Sequence, residues 1–170
     1  MGPEQPRIIQ ATTAEHVAAA RSLFCEYAES LGWDLSDSRI AHEMELLPGP
    51  YSPPRGSLML AYLGDAPVGA LGLQPVPEGC RIDGTGAESA GELKRLFVAP
   101  QFRCSGVGRA LMLRAEAEAR ERGYDSLVLT TSAEMMPLAQ GLYESLGYSE
   151  FEPYRDDMPW PEIRWMRKAL

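Results

Sequence analysis

The stretch RLFVAPQFRCSGVGRALM, Arg95 to Met112, constrains the chain most. An apolar run, Leu96-Phe97-Val98, stops at Ala99-Pro100 and reads as a buried strand. A short loop follows, with Arg103, Cys104, Ser105, Gly106 and Gly108. Then Val107, Leu111, Ala115 and Ala119 fall on one helical face. A strand that turns directly into an amphipathic helix leaves the first helical N–H groups without intrahelical partners. The helix dipole adds partial positive charge at the same point. Gly106 and Gly108 allow close backbone approach, and Arg103 and Arg109 bring formal charge. The combination suits a bound anion such as a phosphate. A tight turn that merely needs glycine is the alternative.

Two familiar phosphate loops do not fit. A P-loop needs GxxxxGK[ST], which is absent, and a Rossmann GxGxxG fails because Leu111 stands at the last glycine. GTGAES, further upstream, has Ser89 at that place and no helix after it. What is present is Arg103-x-x-Gly106-x-Gly108.

The rest of the chain supplies the frame. RIIQA reads as a first strand. Thr12 and Glu15 form a capping box for a helix over about Ala14 to Leu31, ended by Gly32. SDSRIAHEMELL is a second helix capped by Ser36 or Asp37. PGPYSPPRG, with four prolines, is a loop. SLMLAYLGDAPVGALGLQPV is a hairpin turning at Gly64 to Pro67. Pro77 to Gly91 reads as a polar connection, ELKRLFV as the next strand, and Gly106 to Arg122 as the long helix. SLVLT is a buried strand and AEMMPLAQGLYESLG a helix with Pro137 in its first turn. YSEFEPY and EIRWMRKAL are two last strands around the loop RDDMPWP. The order β-α-α-β-β-β-α-β-α-β-β predicts a mixed sheet with helices on both faces, in one domain over residues 1–170.

Composition narrows the function. The chain has 24 acidic and 16 basic residues, a net charge of −8. That argues against nucleic acid or an anionic membrane as partner. No apolar run reaches the length of a membrane span, and MGPEQPRIIQ has no signal-peptide core. Cys25, Cys80 and Cys104 are too scattered for a disulfide framework, and with His16 and His42 they make no metal motif. The reading is a reduced, cytoplasmic protein without a metal.

R-x-x-G-x-G after a strand ending in Val, opening an amphipathic helix, resembles motif A of the GCN5-related N-acetyltransferases (GNAT). PLAQGLYESLGY, Pro137 to Tyr148, is similar to that family's A-x-x-L-Y-x-x-x-G-F/Y signature. The resemblance spans nearly the whole chain. It implies an α/β (α+β) fold with a mixed, mostly antiparallel sheet of six to seven strands. It also implies acetyl-CoA as cosubstrate, its pyrophosphate held by Arg103, Cys104, Ser105, Gly106, Val107, Gly108 and Arg109. The pantetheine arm would lie along Leu96, Phe97 and Val98, with Met136 and Ala139 on the far side. Cys104 stands where many members have Gly, and Met136 where many have Asn. Cys104 is either a reactive thiol at a helix start or a small residue lining the turn; the second is favoured.

Acyl transfer from a thioester to an amine needs a proton removed, an oxyanion met and a thiolate helped away. By resemblance Glu92 is the base, acting directly or through a water; the alternative is a solvated strand-edge carboxylate beside Lys94. Tyr143 is by resemblance the acid; the alternative is a core aromatic. Backbone N–H groups near Val98 would meet the oxyanion. The acceptor side would comprise Trp33, Asp34, Tyr51 and the loop with Asp156, Asp157 and Trp160, where the acids would attract an ammonium group. The expectation is acetylation of a small primary amine. Protein lysines or N-termini, another acyl-CoA, and a non-catalytic acyl-CoA sensor are the competing readings. Family habit points to a homodimer.

Overall fold

The structure is a computed structural model that describes residues 4–82, 85–86, 89–155 and 162–170. Its elements are β1 (Arg7–Gln10), α1 (Ala14–Ser30), α2 (Ser38–Leu46), β2 (Ser57–Leu63), β3 (Ala66–Pro75), β4 (Arg81–Ile82), β5 (Thr85–Gly86), β6 (Ala90–Val98), α3 (Val107–Glu121), β7 (Ser126–Thr131), α4 (Pro137–Ser145), β8 (Ser149–Glu150) and β9 (Arg164–Ala169). Seven strands form one sheet in the order β1-β2-β3-β6-β7-β9-β8. Only β6 and β7 run parallel, and α3 makes the crossover between them. All other pairs in that sheet are antiparallel. The expected mixed, mostly antiparallel sheet is present.

Alternation along β2 builds two cores. Met59 and Ala61 face α3, packing with Leu111, Met112 and Ala115. Leu58 and Leu60 face the other way, with Phe24 of α1, Met44 of α2 and Tyr51. Each buried Leu, Met or Phe among them contributes roughly 1.5–3 kcal/mol.

Several boundaries differ from the sequence reading. Thr13, not Thr12, caps α1, its hydroxyl accepting the His16 N–H at 3.2 Å. Glu15 then falls at the second helical position, one short of a capping box. Of the two caps expected for α2, Asp37 is the one used. The prolyl loop contains a 3-10 turn, Gly49–Tyr51, that buries Tyr51. Ala90 and Gly91 belong to β6 rather than to the connection. α4 begins at Pro137, whose missing N–H suits a first position. β8 is only two residues long, where a strand through Tyr154 is predicted; Pro153 has no N–H to extend the ladder.

Candidate functional site

β6 and β7 pair at only three positions, Ala90↔Ser126, Gly91↔Leu127 and Glu92↔Val128. Past these, β7 stays with β9 up to Thr131 and β6 stays with β3 up to Val98. The two central strands therefore part beyond Glu92 and leave a cleft in mid-sheet. An irregularity in β6 sits at the opening. Gly69 and Ala70 face Val98 and Phe97, but Gly72 faces Lys94, so β6 carries an extra residue there. Arg95 absorbs it in the left-handed region, at φ 59°. This is a β-bulge, and a bulge breaks side-chain alternation. Leu93 packs on the α3 side, whereas Phe97, four residues on, packs on the α1 side.

The strand ends in the glycine loop. A 3-10 turn, Pro100–Phe102, is followed by Cys104 at φ 61° and Gly106 at φ 88° as the N-cap of α3. Among the described residues no backbone acceptor meets the N–H groups of Cys104 through Arg109. The first helical bond runs from the Ala110 N–H to the Gly106 carbonyl, 3.0 Å. Val107 is fully buried and anchors the helix start. A Cβ on Gly106 would point into open space, the side from which an anion can approach. On Gly108 it would lie 3.2 Å from Leu142 Cδ2, so that glycine also permits close packing of α4. Ser105 donates to the Phe102 carbonyl, 2.5 Å, closing the turn. The N–H cradle and helix start fit a pyrophosphate. Arg103 lies alongside, its Nε donating to the Val98 carbonyl at 3.1 Å. Arg109 donates to Ser145 Oγ at 3.4 Å, tying α3 to α4. Because the Ala99 N–H bonds Val68 on β3, the N–H of Val98 points away from β3 and into the cleft. Leu96 and Val98 flank the α3 core, and Ala139 packs against the same cluster.

A cavity of about 570 Å³ opens on the α1–α2 side of the same cleft. Its wall includes Tyr27, Trp33, Lys94, Arg95, Thr131 and Arg155. Tyr27 packs edge-on against Trp33 and Phe97, at 5.6 and 6.0 Å between ring centres, and donates to Met136 Sδ at 3.5 Å. Met136, expected beside the cosubstrate, is the N-cap of α4 and also lines this cavity. Arg95 grips Glu43 with two hydrogen bonds, Nε to Oε1 at 2.7 Å and Nη2 to Oε2 at 2.5 Å. Its guanidinium lies 5.1 Å from the Trp33 ring centre. Burial alone would raise the Glu43 carboxyl, but the hydrogen bonds from Arg95 and Tyr51 outweigh it and hold the group below its ordinary value. Asp34 is exposed at the rim and accepts from the Ser36 hydroxyl and N–H, which lowers its pKa.

Two expectations and one alternative need correction. Tyr51 is not on the cavity wall: it is 1% exposed, and its hydroxyl donates to Glu43 Oε1 from behind at 2.9 Å. Aromatic character alone does not separate a core ring from a binding ring. Glu92 is not a solvated strand-edge carboxylate: it is 1% exposed. Gln74 donates to its Oε2 at 2.8 Å, Tyr154 donates to Oε1 at 2.9 Å, and Arg155 forms an ion pair with Oε1 at 3.0 Å. Direct contact with an amine is closed in this arrangement. Asp156, Asp157 and Trp160 lie outside the described residues. The described wall, expected to be acidic, also carries Arg39, Lys94, Arg95 and Arg155. The sequence signal for these cations is Lys94-Arg95 inside an otherwise apolar strand.

Tyr143 is 6% exposed on α4, its ring 6.1 Å from that of Tyr148. Burial, and then the nearby Tyr27, raise its pKa, so the hydroxyl keeps its proton at neutral pH. Among the described residues no cluster of His, Cys, Asp and Glu is arranged to hold a metal. No described helix is long and apolar enough to cross a membrane.

Known proteins share this architecture. An acetyltransferase of the GNAT family from Staphylococcus aureus Mu50 superposes with a TM-score of 0.73 at 20% identity, covering 97% of this chain and 99% of its own. YncA of Salmonella typhimurium, a putative acetyltransferase solved with its cofactor acetyl-CoA, gives 0.67 at 18% identity, covering 97% and 94%. An uncharacterized N-acetyltransferase of Schizosaccharomyces pombe is 31% identical, over 88% of this chain and 86% of its own length. The model of the acetyltransferase (GNAT) family matches residues 14–148. The strand parting, the glycine loop and these matches agree: the chain is an acyltransferase and belongs to the acetyltransferase (GNAT) family.

Proposed function

We propose that the protein transfers an acetyl group from acetyl-CoA to the primary amine of a small molecule, by direct attack in a ternary complex. One observation carries the reading: the strand parting at Glu92 lies between the N–H cradle and the walled cavity. A donor held at the loop and an acceptor held in the cavity meet at one opening. Acetyl-CoA supplies the thioester. The chain's task is to orient, to meet charge and to move protons. The cleft-facing N–H of Val98 is placed to meet the developing oxyanion. Tyr143 supplies a hydrogen bond to the departing sulfur. Its raised pKa lies above the ~8.5 of a free thiol, so it acts as a donor to the thiolate before any full proton transfer. Glu92 takes the amine proton through a water, which accepts it from the ammonium and passes a proton to the carboxylate. The Tyr154 hydroxyl and the ion-paired Arg155, which lines the cavity, hold that carboxylate in place.

The test is CoA release from acetyl-CoA across a panel of small amines, with Tyr143→Phe beside the wild type. The variant should lower kcat by roughly 10²-fold and leave acetyl-CoA affinity within about twofold. Unchanged kcat would remove Tyr143 from the donor role. Acetyl-CoA binding without turnover of any amine, peptide or protein would favour the sensor reading instead.

A further inference from the structure

The cations of the cavity wall are not equally matched. Arg95 is held by both oxygens of Glu43. Arg155 pairs with Glu92 at 3.0 Å. Arg39 pairs with Asp37 at 3.5 Å and is largely in solvent. Lys94 has no carboxylate within ion-pair distance and no hydrogen-bond acceptor among the described residues. It lines the cavity at the point where β6 leaves β7.

The bulge explains how it comes to be there with Arg95. In a regular strand, neighbours point to opposite faces. Leu93 and Leu96 both pack on the α3 core, so the two residues between them turn to the other face together. The extra residue at Arg95 thus puts two adjacent cations into one cavity. Arg95 is spent on Glu43. Lys94 is left as a half-buried ammonium group with no directly paired carboxylate among the described residues.

Burial lowers the pKa of Lys94; Arg155 and Arg95 add to that, against the pull of Glu92 and Glu43. Burial of that kind weighs against the charged form, and a bound anion favours it. Asp34, the one carboxylate on the wall without a cationic partner among the described residues, is exposed to solvent and accepts from the Ser36 hydroxyl and N–H.

We infer that Lys94 receives a carboxylate of the acyl acceptor, so that the acceptor is a small amine that also carries a carboxylate. One unmatched cation calls for one negative charge, which a carboxylate supplies and a phosphate monoester exceeds. The same cations disfavour polyamines and lysine side chains, whose ammonium groups would meet Lys94, Arg95 and Arg155. The inference rests on the acetyl-transfer reading above and names the substrate class for that site.

The experiment compares L-amino acids with their amides and with the matching decarboxylated amines, in CoA release, for the wild type, Lys94→Met and Lys94→Arg. Kcat/KM should favour the acids by roughly 10- to 100-fold, the worth of a hydrogen-bonded charge contact. Lys94→Met should erase that preference through KM, with kcat within about threefold, and Lys94→Arg should restore most of it. Amides or decarboxylated amines turning over as well as the acids in the wild type would overturn the inference, as would an acid preference that survives Lys94→Met. Binding of N-acetyl-L-amino acids to the CoA-loaded protein separates the two readings. If nothing turns over but these bind in a Lys94-dependent way, the anion site stands and acetyl transfer falls. If neither turnover nor binding is seen, the anion site falls too.

Discussion

Glu43→Gln tests how the cavity wall is held. Glu43 has two oxygens and three donors: Arg95 Nε at 2.7 Å and Tyr51 hydroxyl at 2.9 Å on Oε1, and Arg95 Nη2 at 2.5 Å on Oε2. A glutamine keeps one acceptor. Its amide nitrogen then faces Arg95 Nη2, donor against donor. The side chains of Arg95 and Glu43 are only 12% and 22% exposed, so water replaces little of what is lost. Removing one partner of a fully buried pair costs about 3–5 kcal/mol. The retained acceptor and the partial exposure bring the expectation to about 2–3 kcal/mol. For a chain of this size that is roughly 4–12 °C in Tm. Urea unfolding should show a lower midpoint with an unchanged slope.

The pH dependence fixes the cause. The folded carboxyl lies below its ordinary value of 4.5. A depressed pKa contributes stability that is present above the unfolded value and lost as pH falls through the folded one. The gap between wild type and variant should therefore be full at pH 7 and narrow below pH ~4.5, as wild-type Glu43 itself becomes neutral. A gap under about 0.5 kcal/mol at pH 7, within the range of ordinary surface changes, would refute the reasoning. So would a gap of constant size down to pH 4.

Two further substitutions read the backbone directly. Cys104 sits at φ 61°, where a Cβ is strained, and glycine removes a strain of roughly 1 kcal/mol against a similar gain in unfolded-state freedom. Cys104→Gly should leave Tm within about 3 °C and kcat within about twofold; a kcat loss beyond tenfold would bring back a chemical role for the thiol. Gly72→Ala places a methyl 2.5 and 2.7 Å from Tyr51 ring carbons and should cost about 1–3 kcal/mol by overpacking. Because Tyr51 holds Glu43, the acceptor KM should rise more than that for acetyl-CoA. A melting temperature unchanged in that variant would show that Tyr51 is not fixed against β3.

What could be read in the chain was what the chain encodes locally. Periodicity places α1, α3, β2, β3 and β7 to within a few residues, because each depends on its own apolar face. The glycine loop was legible for the same reason: six consecutive N–H groups and a helix start are one short segment. Errors came where local signals tied. Thr12 and Thr13 are both competent caps, and only the path of the chain into α1 favours the second. The burial of Glu92 is not legible locally, because the residues that close over it, Tyr154 and Arg155, follow about sixty positions later. The cavity was least legible, since its wall is drawn from α1, α2, β6, β7 and the last loop. No pattern within eighteen residues records a meeting of that kind.

The bulge in β6 joins these observations, and it is the feature least marked in the sequence. Bulges of this geometry commonly take glycine at the left-handed position, yet here an arginine occupies it. The conformation is unfavourable for a side chain of that size, by roughly 1–2 kcal/mol. Something must offset that, and the contacts of Arg95 are sufficient: two charge-assisted hydrogen bonds to Glu43 and the face of Trp33. The pair thus does more than brace α2 against the sheet. It holds β6 in the kinked course that turns Lys94 into the cavity and carries the strand away from β7. Net acidity and a basic pocket are then compatible. The excess negative charge is spread over the surface, while the cations that matter are placed by one extra residue in one strand.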